Sequence, residues 1–413
     1  MIKGELRLNI IIVNDYAYVN GGAGQIAINT AKLLAKSGER VVLFTAVGPI
    51  ADELHNVANL EVVCTEQYDI LNDPSRLRAI VQGCWNFKAR RNFKHLLERF
   101  SPDDTVIHIH ALSKAISTSI LPVAKKRKFK VIYHLHDYGI ACPNLGFFDY
   151  KGNNICHAKA LGIKCLVTNC DKRSYAQKCW RVLRQFVQNK IGGLPNNVDC
   201  YIYISQFSLN ILKPYIKKAK RLEFLPNVVN ISKNERIKAE NNNTVVFVGR
   251  LSPEKNPQIL AEATRRLDWP VLFVGSGPCE EEIQRINPHA MITGWKTQTE
   301  VSQLLKTARV LVFPSKCYET QGLSVVEALA NGIPVIVADE CAARDEVDEK
   351  KNGVLFKSND VNDLIEQIML FKDDGITKEM SIRAYDIYWD ENILFDRYID
   401  EIKNIYAKII KMV

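Results

Sequence analysis

Residues 310–337 read VLVFPSKCYETQGLSVVEALANGIPVIV. The apolar run Val310–Phe313 has the length and β-branched character of a buried strand. A polar loop carrying Gly322 follows, and Leu323–Ala330 places apolar residues at helical spacing. Asn331-Gly332 punctuates its end, and Pro334–Val337 returns to a strand. Strand, loop, helix and strand in this order form a βαβ unit, which implies a parallel sheet covered by helices.

The same alternation extends outward. Thr244–Gly249, Pro270–Gly275 and Met291–Gly294 read as strands, with helices at about Pro257–Leu267 and Glu300–Ala308. A separate series precedes them: Arg7–Val13, Arg40–Thr45, Thr105–His110, Lys130–His136 and Asp199–Ser205. Between the two series, Pro226–Asn243 is polar and ends in three asparagines, the mark of a linker. The expected fold is α/β, with two doubly wound, Rossmann-like parallel-sheet domains facing a central cleft. Residues 1–230 form the first domain, with a Cys-rich insert at 137–180, and residues 231–385 the second. The tail from Thr377 is helical, with Trp389, Phe395, Tyr398, Ile402 and Ile405 at roughly helical spacing. Residues 386–413 form a C-terminal helix.

Composition narrows the function classes. The chain has 413 residues, 47% hydrophobic and 24% charged, enough for two cores without covalent staples. No apolar run reaches the ~18–20 residues of a membrane-spanning helix. The N-terminus carries Lys3, Glu5 and Arg7 and leads directly into a strand, which predicts no secretory signal and a cytoplasmic location. Eleven cysteines is an odd number, so they cannot all pair. Residues 1–230 hold 32 Lys+Arg against 17 Asp+Glu, whereas residues 231–413 hold 23 against 29. The basic half favours an anionic partner.

In doubly wound sheets, ligands bind outside the carboxyl ends of the strands. The loops there carry the chemistry. Gly21-Gly22-Ala23-Gly24 follows the first strand and opens a helix, where free N–H groups suit an anion, although a flexible turn has the same composition. Arg250 and Lys255 lie where a strand gives way to a helix and could grip a diphosphate, or form a solvated basic loop. Gly294-Trp295 ends another strand. Gly322, Leu323 and Ser324 open the helix of the 310–337 unit. Glu319 sits in its loop and Glu327 one turn into its helix, so two carboxylates are expected beside one phosphate site. The alternative is a pair of surface glutamates.

These motifs together resemble the retaining glycosyltransferases of family 4, which have the GT-B fold. The resemblance spans nearly the whole chain and is most specific from Gly249 to Pro334. It rests on Glu319 and Glu327 at Glu-x7-Glu spacing, on Arg250 and Lys255, on the Gly21–Gly24 loop, and on the C-terminal helix after Trp389. Gln321 departs from the pattern, standing where many members have a bulky residue or proline. The resemblance implies a nucleotide-sugar donor, UDP- or GDP-linked. Gly22, Arg250 and Lys255 would hold its diphosphate, with N–H groups of Gly322, Leu323 and Ser324 in support. Glu327 would bind the ribose, Glu319 the donor sugar, and Gly294-Trp295 would flank the base. His136 matches a family histidine beside the transferred sugar, so His136 and Glu319 are the expected catalytic residues. His108, His110 and His134 are read as structural. The resemblance also implies retention, no catalytic metal, and a growing surface-glycan acceptor, lipid-linked as in polysaccharide and lipopolysaccharide synthesis. An epimerase or hydrolase of the same fold, or a non-catalytic glycan-binding subunit, are the alternatives.

Two features remain. Cys142, Cys156, Cys165 and Cys170, with Cys179 beyond, crowd the insert. Four thiolates could hold a structural zinc, although no Cys-x2-Cys knuckle is present; buried free thiols are the alternative. Lys88–Lys94, Lys125–Lys130 and Lys217–Arg221 are basic runs. The first lies in an amphipathic helix that could rest on an anionic membrane at its inner face, or pack on the sheet. No basic run has interleaved stacking aromatics, so nucleic acid is not an expected partner.

Overall fold

The computed structural model describes residues 8–227, 229, 231–391 and 395–411. Lys3, Glu5 and Arg7 therefore lie outside the described residues. The β-branched runs form strands because their side chains are buried on both faces, as parallel sheets require. In the first domain these are β1 (Asn9–Val13), β2 (Arg40–Thr45), β3 (Leu60–Cys64), β4 (Thr105–Ile109) and β5 (Lys130–His134). The insert adds a two-stranded hairpin of β6 (Phe148–Asp149) and β7 (Asn154–Ile155), and β8 (Cys200–Tyr203) and β9 (Leu222–Phe224) complete the domain. The order is β3-β2-β1-β4-β5-β8-β9, parallel throughout.

The second domain contains β10 (Thr244–Val248), β11 (Val271–Val274), β12 (Met291–Ile292), β13 (Ala308–Phe313), β14 (Val335–Ala338) and β15 (Gly353–Phe356). These are also parallel, ordered β12-β11-β10-β13-β14-β15. Strand order reverses between β1 and β4 in one sheet and between β10 and β13 in the other. The loops after these strands are where a doubly wound sheet opens a crevice.

Several sequence expectations shift. Edge strands β3 and β9 and the outer strand β15 are not among the expected strands. The helix after β1 begins at Gly22 itself, so Gly22–Gly24 form its first turn and Gly21 (φ 98°) its cap. Leu225 belongs to the first core, whereas Val229 and Ile231 pack on the second, which places the crossing near 226–229. The tail is two helices. Asp374–Glu391 covers the second domain through Met380, Ala384 and Tyr388. Phe395–Ile410 returns to the first sheet and buries Tyr398, Ile402, Ile405 and Tyr406. The Tyr398 hydroxyl meets Thr30 Oγ1 at 3.2 Å. The side chain of Phe395 lies outside the described residues.

Candidate active site

Lys255 and Glu319 form the centre of the cleft. Lys255 closes a short turn after β10, and Glu319 lies in the loop after β13. They are 64 residues apart, yet Lys255 Nζ donates to Glu319 Oε1 at 2.5 Å. The side chains keep only 24% and 16% exposure. Burial opposes both charges, but each ion outweighs it for the other. The Lys255 ammonium is held above its ordinary value and the Glu319 carboxyl below its own. Ser315 Oγ also donates to Glu319 Oε1, at 2.6 Å, and the Cys317 thiol at 3.3 Å. Glu319 itself adopts φ +46°, a left-handed conformation that costs a non-glycine residue ~1–3 kcal/mol and is concentrated at functional sites.

This loop is clamped from the first domain. The Tyr138 hydroxyl donates to the Glu319 carbonyl, and Thr320 Oγ1 donates to the His136 carbonyl at 2.9 Å. His136, just past β5, is half-buried, and burial lowers its imidazole to about 3, so the ring is neutral. Its Nε2 lies 2.9 Å from His110 Nδ1. The two glycine-bearing helix starts also meet. A Cβ added to Gly22 would lie 3.4 Å from Leu323 Cδ1. The helices Gly22–Lys36 and Leu323–Ala330 thus bring their positive ends together, each with first-turn N–H groups that no intrahelical carbonyl can reach. Beside Lys255, this is a site shaped for an anion.

The other expected residues differ. Glu319 and Glu327 do not share one partner. Glu327 accepts from Gln298 Nε2 at 2.9 Å, and burial raises its carboxyl despite that bond. Arg250 is 61% exposed and pairs with Glu254. Both expected phosphate cations are therefore paired with carboxylates. Gly294 has φ +72° and forms a bridge with Gly275, and Trp295 stands 76% exposed beside it. Gly275 itself has φ +147°, and a Cβ there would collide with the Gly249 carbonyl, so these three loops pack backbone to backbone. Ser315, Tyr138, Thr320 and Gln298 are site residues that the sequence does not single out. Their hydroxyl and amide groups carry no spacing signature. Gln321 ties the site loop to the linker: its amide bonds to both backbone groups of Asn227 at 3.2 Å and to Glu346.

Comparison with known proteins identifies the family and the fold. The profile of the family described as Glycosyltransferase Family 4 matches residues 20–233, and that of Glycosyl transferases group 1 matches residues 229–386. The chain belongs to glycosyltransferase family 4. It is 26% identical over 381 residues to an Escherichia coli UDP-Gal:alpha-D-GlcNAc-diphosphoundecaprenol alpha-1,3-galactosyltransferase, covering 84% of this chain and 90% of that one. It is 33% identical over 146 residues to sulfoquinovosyl transferase SQD2 of Arabidopsis thaliana, a match over 34% of this chain and only 28% of that protein. Sucrose-phosphate synthase from Thermosynechococcus elongatus has the same fold, with TM-score 0.73, 18% identity, and 98% and 99% of the two chains covered. Anabaena HepE in complex with UDP superposes with TM-score 0.66 at 17% identity, covering 98% of this chain and 100% of that one. The fold is GT-B.

Two expectations about this glycosyltransferase change with its structure. The four insert thiols do not gather into a ligand set among the described residues. Instead the Lys178 ammonium lies between them, 3.1 Å from Cys170 Sγ and 3.5 Å from Cys165 Sγ. The helix Phe87–Leu97 buries Ala89, Phe93, Leu96 and Leu97 in the core, so its apolar face is not free for a membrane. Its basic face and the half-exposed apolar groups of other helices remain on the surface. No helix among the described residues is long and apolar enough to cross a membrane.

Proposed function

We propose that this glycosyltransferase moves a sugar from a UDP- or GDP-linked donor to a growing, lipid-linked glycan, with retention at the anomeric carbon and without a catalytic metal. The observation that carries this reading is the Lys255–Glu319 pair set beside two abutting helix N-termini. Lys255, Arg250 and the N–H groups of Gly22, Gly322, Leu323 and Ser324 would take the diphosphate. They would stabilise the charge that grows on the leaving oxygen, the largest effect expected at such a site. Donor phosphate would displace the Glu319 carboxylate from Lys255 and turn it toward the sugar. Glu327 would hold the ribose, and Gly294-Trp295 the base. His136, neutral and clamped through its carbonyl, would face the transferred sugar. The bond from the anomeric carbon to the phosphate oxygen breaks with its electrons on the phosphate. The acceptor hydroxyl oxygen bonds to the same face, and its proton passes to the leaving phosphate.

The galactosyltransferase relative, whose name states a diphosphoundecaprenol acceptor, supports the lipid-linked class. So does the surface of the first domain. Helices Arg76–Cys84 and Tyr175–Lys190 expose Leu77, Ile80, Val81, Leu183 and Phe186, and the groove of about 450 Å3 that both helices line carries Ile80 beside Arg76 and Arg181. Apolar side chains beside cations suit an anionic membrane at the cytoplasmic face.

The test is thermal stability with UDP, GDP and ADP, without added metal, for the wild type and Lys255→Ala. A ligand at ~100 times its dissociation constant adds about 2.7 kcal/mol. A shift with one nucleotide, lost in the variant, supports the donor site. No shift with any of them would overturn it.

A further inference from the structure

We infer that His108, His110 and His134 form a buried site for a late first-row divalent metal ion, with zinc the expected occupant. This goes beyond the transfer reaction, which uses none of the three. β4 and β5 are adjacent and parallel. His108 lies on β4 and His110 one residue past its end, two positions on, so both rings project from one face, and His134 at the end of β5 projects from the same face of the neighbour. The ligand atoms of the three rings lie within 4.8 Å of one another. The residues are 0%, 3% and 0% exposed.

The hydrogen bonds divide the ring nitrogens in a telling way. His108 Nδ1 is 2.7 Å from the Tyr406 hydroxyl, and His110 Nδ1 is 2.9 Å from His136 Nε2. The Nε2 atoms of both, and both nitrogens of His134, have no partner. Buried polar atoms are nearly always partnered, and four orphans in one place call for a ligand. A metal-bound histidine characteristically engages its second nitrogen with an outer partner, which fixes the ring. Here Tyr406 and His136 fill that role for His108 and His110 and leave their Nε2 atoms, with both nitrogens of His134, free to bind. Three neutral imidazoles with an open fourth position are an established zinc set. With no carboxylate or carbonyl in the group, magnesium and calcium are disfavoured, whereas zinc, copper and nickel suit imidazole. Modest side-chain rotation would draw the three nitrogens onto one ion. That ion would tie β4 to β5 directly beneath the loops carrying His110 and His136. It would brace the first-domain wall of the cleft rather than touch the donor.

The test uses the full-length protein, stripped with EDTA and titrated with Co2+ and then Zn2+. One equivalent of Co2+ should bind with the visible bands of a four-coordinate, nitrogen-ligated ion, and Zn2+ should displace it and raise the melting temperature. His108→Gln and His134→Gln should each abolish stoichiometric binding, whereas Cys165→Ser and Cys170→Ser should keep it. A thiolate-to-cobalt charge-transfer band, the absence of stoichiometric binding, or binding retained in both histidine variants would overturn the site. If the histidine variants fail to fold, zinc-edge X-ray absorption on the wild type decides: imidazole scatterers without sulphur support it, and sulphur in the shell refutes it. Donor binding by the Lys255 site is read separately, in EDTA, so failure of one leaves the other standing.

Discussion

Glu319→Gln separates two roles that one carboxylate plays. It holds Lys255 at 2.5 Å; in the proposed reaction donor phosphate would take Lys255 and turn the carboxylate to the sugar. Glutamine keeps the shape and an oxygen acceptor but removes the charge. Hydrogen bonds involving an ionised group contribute ~1.5–3 kcal/mol; the ammonium-to-amide bond that remains has one charge instead of two and falls at the low end of that range, so the exchange weakens the Lys255 bond by about 1 kcal/mol. The partial exposure of both side chains keeps the figure at this low end. Folding stability should fall by this amount. The affinity for the nucleoside diphosphate should rise about five-fold, because Lys255 no longer has to leave a carboxylate and each 1.4 kcal/mol is tenfold. Transfer should nevertheless drop ~100–1,000-fold, the usual consequence of losing one electrostatic group from such a site. Isothermal titration with the nucleotide that stabilises the wild type, beside a transfer assay with its labelled sugar, reads both. A fall in nucleotide affinity matching that of Lys255→Ala would refute the competition between Glu319 and donor. Full transfer activity would remove Glu319 from the catalytic residues.

The same pair sets a pH dependence. The Glu319 carboxyl is depressed below its ordinary 4.5, so its contribution is present above that pH and lost as pH falls through the lower folded value. Lys255 is raised above 10.5, so its share persists up to that pH and is lost only as pH rises through the folded value. The stability gap between wild type and Glu319→Gln in urea melts should be flat between these limits and shrink below pH 4.5; a gap constant into strong acid would contradict the pairing. Glu327→Ala should weaken nucleotide binding ~10–150-fold while leaving free sugar-phosphate recognition unchanged, since one charge-assisted bond of ~1.5–3 kcal/mol is removed; calorimetry with nucleotide and sugar phosphate checks this. Gly83→Ala should destabilise the first domain by ~1–3 kcal/mol, because its Cβ would stand 2.5 Å from Trp180 Cζ2 where two helices touch. An unchanged denaturation midpoint would show that this contact is loose.

Much of the architecture is legible in the sequence because strand and helix periodicity depend on near neighbours in the chain. The 310–337 unit appears as read, with β13, the helix Leu323–Ala330 and β14 in that order. Of the three strands that periodicity misses, β3 and β9 are half-exposed sheet edges whose mixed residues carry no clean apolar run, and β15 is a four-residue run opened by Gly353. At the site, position after a strand or near a helix start points to Lys255, Glu319 and Glu327, whereas His136 is singled out only by the family resemblance. Position cannot say that Lys255 pairs with Glu319, that Glu327 turns to Gln298, or that Arg250 is held outside by Glu254.

The basic helix Phe87–Leu97 shows the same limit. Its amphipathic pattern is equally that of a membrane face and of a helix on a sheet, and only packing chose the sheet. The histidines show it again. His108-x-His110 and His134-x-His136 each predict two rings on one side of a strand, which is local geometry. That the two strands lie side by side, with Tyr406 from the far end of the chain closing over them, is a matter of topology. Local pattern in the chain is therefore enough to specify the two parallel sheets, the loops that could bear chemistry, and the residue types in them. It is not enough to specify which side chains meet, because partners such as Lys255 and Glu319, or His108 and Tyr406, lie 64 and 298 residues apart. Only the folded crossing of strands and the return of the last helix bring them within bonding distance.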